Sequence, residues 1–151
     1  MKNKIILFFA TGFGTGYIPK APGSFGTAAG ILIYWYLLSG LPPLLYSAVT
    51  LILVIAGIFI STEAEKLFFR KDDQRIVIDE IAGIIISLIF LPVNAYLAIA
   101  GYVIFRILDI YKLPFIKKLQ ALPSGIGIMF DDITSGIITN VILQLAVKIF
   151  F

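Results

Sequence analysis

The chain has 151 residues, of which 60% are hydrophobic and 14% charged, against about 45–50% and about 25% in ordinary soluble domains. Its 12 basic and 9 acidic residues, net +3, are too few to cover a soluble domain of this size, so lipid is the expected solvent for much of the surface. There is no cysteine and no histidine, which excludes disulfide frameworks, thiolate or imidazole metal sites, and phosphocysteine or phosphohistidine chemistry. The basic residues alternate with long apolar runs, a pattern that suits an anionic membrane surface and argues against a nucleic-acid partner.

The start carries Lys2 and Lys4 and then only six consecutive apolar residues, Ile5 to Ala10. A secretory signal needs a longer apolar run and a small-residue cleavage site, so this segment reads as part of the mature protein. Five apolar stretches follow, at Thr27–Leu38, Leu44–Ile60, Ile76–Leu91, Ala95–Leu108 and Ile133–Phe151. A membrane-crossing helix needs about 20 residues. The second and fifth stretches approach that length; the others must recruit flanking residues, re-enter, or bury part of their length in protein. The runs are continuous rather than alternating, and lipid leaves no partner for an open strand edge, so helices are expected. The expected fold is therefore an all-α, polytopic membrane bundle of about five hydrophobic helices, some re-entrant, forming a single domain over 1–151.

The connections have two characters. Ser39-Gly40-Leu41-Pro42-Pro43 and Pro92-Val93-Asn94 are short turns without charge. Lys2, Lys4 and Lys20 mark the start, Lys66, Arg70, Lys71 and Arg75 the second long connection, and Arg106, Lys112, Lys117 and Lys118 the third. By the positive-inside rule the first two stretches form one hairpin and the next two another, with the charged segments facing the cytoplasm.

Four constellations can carry chemistry. Thr11 to Thr27 holds five glycines, two prolines and four Ser or Thr hydroxyls in seventeen positions. The backbone of Gly12, Gly14, Thr15 and Gly16 can cradle phosphate oxygens, and Lys20 can add charge. A flexible loop with Ser24 or Thr27 as helix N-cap explains the same residues. Next, Asp79 and Glu80 stand at the head of an apolar helix, where its dipole favours acids. An acid at bilayer depth costs about 2.5–3.5 kcal/mol, so an adjacent pair points to a divalent cation. Third, Arg106 and Asp109 lie three apart on one helical face: a plain salt bridge, or Arg106 and Lys112 for phosphate with Asp109 for metal. Last, a Gly-rich turn brings Asp131 and Asp132 to the start of the final apolar run; N-capping accounts for one acid but not both. The second constellation begins at Asp72 and Asp73, so seven of the nine acidic residues fall in the last three. Carboxylates, bases and a glycine nest on one membrane face are the parts of metal-assisted phosphate chemistry, and an all-oxygen shell favours Mg²⁺ or Mn²⁺.

Together these segments resemble the phosphatidylglycerophosphatase A family. The likeness rests on Ala21 to Thr27 with the glycine loop before it, on Ile78-Asp79-Glu80 with Gly83, on Phe105-Arg106, Asp109, Lys112 and Pro114, and on Gly125 to Asp132 with Gly136. It spans about residues 11 to 136; Leu108, Leu113 and Ser124 depart from the family pattern. The resemblance implies a Mg²⁺-dependent hydrolase that converts phosphatidylglycerophosphate to phosphatidylglycerol and phosphate in the bacterial inner membrane, with its site facing the cytoplasm. It implies Asp79, Glu80, Asp109, Asp131 and Asp132 as the acidic cluster. Asp79, Glu80, Asp131 and Asp132 are the expected metal ligands, and Asp109 completes the shell or acts as base. Arg106, Lys112, Lys20, Ser24, Thr27 and the Gly12–Gly16 backbone are the expected phosphate contacts. The competing expectations are a small ion-binding or transporter subunit using the same acids, and a phosphatase of another phosphorylated lipid.

Overall fold

The computed structural model describes residues 1–150, and all regular structure among them is helical. Seven α-helices run in order as α1 (Lys2–Ala10), α2 (Pro22–Ile33), α3 (Pro43–Phe68), α4 (Ile78–Ser87), α5 (Ala95–Tyr111), α6 (Pro114–Gln120) and α7 (Ser124–Phe150). A 3-10 turn at Thr15–Tyr17 and a π turn at Tyr34–Leu38 complete the set. The five apolar stretches thus all become helices. Phe151, the end of the fifth, lies outside the described residues.

Only α3 and α7 have the length and composition to cross a bilayer. At 26 and 27 residues they reach about 40 Å. Both are mostly exposed, with Leu51, Ile52, Ile55 and Phe59 on α3 and Ile137, Val141 and Leu145 on α7 open to the surroundings. The core helix of a soluble protein would hide these faces. The 17 residues of α5 give about 25 Å, and the 10 of α4 only about 15 Å, half of a hydrocarbon core about 30 Å thick.

Two helices were not expected. In α1, Ala10 is fully buried, and Ile6 and Leu7 pack into the same cluster as Ala64 and Ile58 of α3. Pro114 opens α6, which buries Ile116 and turns Lys117 and Lys118 outward in its last turn. A third difference is the start of α7, nine residues before Ile133. Gly125 and Gly127, expected in a turn, are helical because packing demands it. A Cβ at Gly125 would meet Thr62 Oγ1 at 2.6 Å, and one at Gly127 would meet Gln120 O at 2.7 Å. Asp131 and Asp132 consequently sit two turns inside the helix and cap nothing.

Helix α4 is the centre of the assembly, packed by α2, α3, α5 and α7. A helix that stops half-way leaves carbonyls with no water to bond. Here the neighbours supply donors: Tyr46 Oη donates to Ile85 O at 2.7 Å, and Asn140 Nδ2 donates to Ser87 O at 3.0 Å and Ile89 O at 2.8 Å. Gln144 Nε2 donates to Asn140 Oδ1 at 2.7 Å and so fixes the amide. Replacing Asn140 by leucine orphans two carbonyls and is expected to cost about 2–4 kcal/mol, measured as a lower unfolding midpoint in detergent.

The charge-free turns meet at one end, where Ser39, Leu41, Pro43, Phe90 and Val93 line a shared hollow. At the other end Gln120 Nε2 donates to Asp72, joining the two later charged connections. Arg75 clamps Asp73 at 2.8 and 2.9 Å and stacks on Phe68. The Arg75 hydrogen bonds hold the Asp73 carboxyl below its ordinary pKa.

Candidate active site

The site grows from the crossing of α4 and α7. Val77 N–H donates to Ala10 O at 2.8 Å, which anchors the start of α4. Asp79 and Glu80 follow in its first turn, near the positive end of the helix dipole. One turn further on, Gly83 faces Gly136 of α7 so closely that a Cβ on Gly136 would collide with the Gly83 carbonyl. A Cβ on Gly83 would in turn meet Asp132 O at 2.9 Å and the Phe105 ring. Small residues let helix backbones approach in this way. Asp79 lies four residues before Gly83 and Asp132 four before Gly136, so the contact brings the acids together.

Ligand oxygens of Asp79, Glu80 and Asp132 lie within 4.8 Å of one another. Asp79 and Asp132 are 8% and 2% exposed. Among the described residues, Asp79 Oδ1, Glu80 Oε2 and Asp132 Oδ2 are buried without any hydrogen-bond partner. Three carboxyl groups converging in this way, with unpartnered buried oxygens, could hold a divalent cation.

Beside the trio runs a chain of ion pairs. Arg106 bonds Asp109 and stands 3.9 Å from Glu80 Oε1. Lys112 bonds Asp131 and stands 3.8 Å from Asp109 Oδ1. Burial alone would lower the Lys112 pKa, but the Asp131, Asp132 and Asp109 carboxylates outweigh it and raise the value above that of free lysine. Asp131, expected among the metal ligands, is therefore turned to Lys112 and is not part of the trio. Five carboxyl groups thus face two partly buried cations.

Asp79, Glu80, Arg106, Asp109, Lys112 and Asp131 line one cavity of about 430 Å³ that also receives Lys20, Gly23 and Ser24, with Asp132 buried behind Asp79 and Glu80. Pro22 sits at the first position of α2, so the free N–H groups of that helix start line the same space. Gly23 is needed for the close approach: a Cβ there would overlap the Glu80 carboxylate and meet Arg106 Nη1 at 3.0 Å. Three residues on the wall, Lys20, Asp72 and Lys112, hold positive φ (75°, 49° and 28°) without being glycine, a strain typical of functional loops.

Other expected residues lie elsewhere. Gly12 packs on Val77 and Ile81, and Gly16 lies against the Arg75 carbonyl. Thr15 donates to Gly12 O at 2.9 Å, and Gly14 borders a separate surface hollow. Thr27 is buried, donating to Gly23 O at 2.8 Å inside α2, and neither it nor Ser24 is an N-cap.

The model of the family described as phosphatidylglycerophosphatase A matches residues 8–147. The chain belongs to this family. It is 40% identical over 136 residues to the Escherichia coli K12 phosphatidylglycerophosphatase A, covering 89% of this chain and 78% of the relative. The Haemophilus influenzae phosphatidylglycerophosphatase A is 32% identical over 141 residues, or 91% and 86%. A Bacteroides thetaiotaomicron protein provisionally named phosphatidylinositol-3-phosphatase is 33% identical over 147 residues, or 93% and 92%. No solved structure matches. In this member of the phosphatidylglycerophosphatase A family the cavity wall also includes Gly23, Asp72 and Gln74, which belong to the sequence constellations without an assigned role, and Gln120, which belongs to none. Asp72 and Gln74 flank the ion-paired Asp73 in a charged loop, and nothing in their local pattern separates them from it.

Proposed function

We propose that this chain hydrolyses phosphatidylglycerophosphate to phosphatidylglycerol and phosphate in a Mg²⁺-dependent reaction. It does so as a multi-pass protein of the bacterial inner membrane, with the charged end facing the cytoplasm. Family membership makes it a phosphoric monoester hydrolase. The observation that carries the finer reading is the Asp79, Glu80 and Asp132 trio opposite Arg106, Lys112 and the α2 N-terminus.

Asp79, Glu80 and Asp132 would hold the ion. Bound Mg²⁺ supplies charge neutralisation at the phosphate and a more acidic water nucleophile. The chain does the rest. Arg106, whose Nε has no acceptor among the described residues, donates to a phosphate oxygen together with Lys112. Lys20 and the first N–H groups of α2 bind the phosphoryl oxygens as water attacks phosphorus and the P–O bond to the leaving alcohol, phosphatidylglycerol, breaks. Asp109 touches both Arg106 and Lys112 and keeps the two cations in register, while Asp131 fixes Lys112 from the far side. The exposed apolar faces of α3 and α7 keep this cavity at the edge of the bilayer, where a lipid headgroup reaches it.

The test is phosphate release from phosphatidylglycerophosphate in mixed micelles. Release is expected with Mg²⁺, should vanish in EDTA, and should return on adding Mg²⁺ back. Full activity in EDTA would remove the metal scheme. The Bacteroides likeness favours one second reading, a phosphorylated lipid with another headgroup. Faster release from phosphatidylinositol-3-phosphate in the same assay would select it.

A further inference from the structure

Beyond the polar wall of the cavity lies a second, separate hollow between two of the same helices. Helices α2 and α5, which supply Gly23, Ser24, Arg106 and Asp109 to the cavity, continue away from the charged end and enclose this hollow of about 330 Å³. Its wall is wholly apolar, formed by Ala28, Ile31 and Leu32 of α2 with Ala98, Ile99 and Tyr102 of α5.

The helical repeat sets the two spaces end to end along the same faces of α2 and α5. Ser24, Ala28, Ile31 and Leu32 follow the i, i+4, i+7, i+8 pattern of one face of α2. On α5, Asp109, Arg106, Tyr102, Ile99 and Ala98 step back along one face in the same way. Each stripe is polar at the charged end and apolar beyond. The boundary falls at Tyr102, whose hydroxyl donates to Ser24 O at 3.2 Å. From Ser24 to Leu32 the groove runs about 12 Å. Leu32 and Ile99 on its outer edge are 58% and 63% exposed, so it opens sideways.

We infer that the α2–α5 groove holds one acyl chain of the phospholipid whose phosphate occupies the acidic cavity, and that the lipid enters laterally between these helices. The inference rests on the lipid-phosphatase reading and goes beyond it by assigning the chain-binding surface. A lipid is the ligand whose anionic head and hydrocarbon tail are joined in the order in which the lining changes. The other large apolar hollow, lined by Phe9, Phe13, Leu37, Val49 and Leu53, abuts Ile78, Ile81 and Ile85. Those residues form a separate face of α4, and the body of that helix divides this hollow from the carboxylates.

The test is photocrosslinking in bilayers containing Mg²⁺. The probe is a phosphonate analogue of phosphatidylglycerophosphate, stable to hydrolysis, with a diazirine midway along one acyl chain. Its control is a phosphatidylcholine bearing the same chain. Adducts at Leu32 and Ile99 in excess over the control are expected, and the excess should disappear in Ala28→Phe and in Leu32→Trp, which fill the groove. Equal labelling by the two lipids, or an excess at Leu37, Val49 or Leu53, would overturn the assignment. In kinetics, each variant is expected to reduce the preference for the diacyl substrate over its deacylated headgroup about tenfold in kcat/KM. Equal losses on both substrates would mark a merely structural role and overturn the inference. Lack of phosphate release from every lipid by the unaltered protein would instead remove the phosphatase reading; the crosslinking needs no turnover and judges the groove separately.

Discussion

Asp132→Asn is expected to lower phosphate release by about 10²- to 10³-fold, the scale for losing one electrostatic contact to a developing charge, while leaving the resting protein at least as stable. Asp132 is buried with Asp79 and Glu80, and none of the three has its charge balanced within the trio. Removing one like charge from a low-dielectric cluster relieves repulsion and desolvation, so metal-free stability should hold or rise. Activity and stability therefore move in opposite directions, unlike the result for a core residue. A second readout separates the metal from the chemistry. Saturating Mg²⁺ should raise the unfolding temperature of the parent protein and should raise that of the variant far less. Equal Mg²⁺ stabilisation of both proteins would exclude Asp132 as a ligand.

Gly136→Ala should be nearly as damaging although it removes no chemistry. The new Cβ would fall on the Gly83 carbonyl, within two helix backbones that have no flexible side chain to yield. The helices must separate, at a cost of about 1–3 kcal/mol for overpacking. The larger effect is on rate, because a shift of about 1 Å between catalytic groups can cost about 10²-fold. Asp132 and Asp79 each lie one turn from the contact and would be spread apart together. Gly83→Ala should behave alike, through Phe105 and the Asp132 carbonyl. Gly40→Ala is the control, since a Cβ there meets nothing within 4 Å, and its activity should stay within about twofold. A kcat for Gly136→Ala equal to that of Gly40→Ala would dismiss the crossing as the determinant of site geometry.

Much of this arrangement was legible in the residue order. Continuous apolar runs gave the helices, because burial and backbone satisfaction act locally, but not their pairing: α2 packs on α4 rather than on its expected hairpin partner α3, which packs on α7. The acids were legible too, since a carboxylate beside an apolar run always demands an explanation. The roles of glycines were not. Gly12 and Gly16 looked like a phosphate nest, yet they make room for Val77 and the Arg75 backbone. Gly125 and Gly127 looked like a turn and proved helical. A glycine's use depends on what approaches it from a distant part of the chain, as Thr62 approaches Gly125. The split between Asp131 and Asp132 was hidden for the same reason: Lys112, nineteen residues away, claims one and leaves the other to the trio.

The distribution of charge between the two ends bears on how such a chain is made. In the orientation proposed above, the two turns that meet away from the charged loops, Ser39 to Pro43 and Pro92 to Asn94, carry no charge. Each formal charge drawn through the hydrocarbon centre would add about 2.5–3.5 kcal/mol on insertion scales. Neither turn therefore brings an ionised group to ferry into the lipid from the side of synthesis. Lys148, in the last turn of α7, does carry a charge into an otherwise apolar stretch.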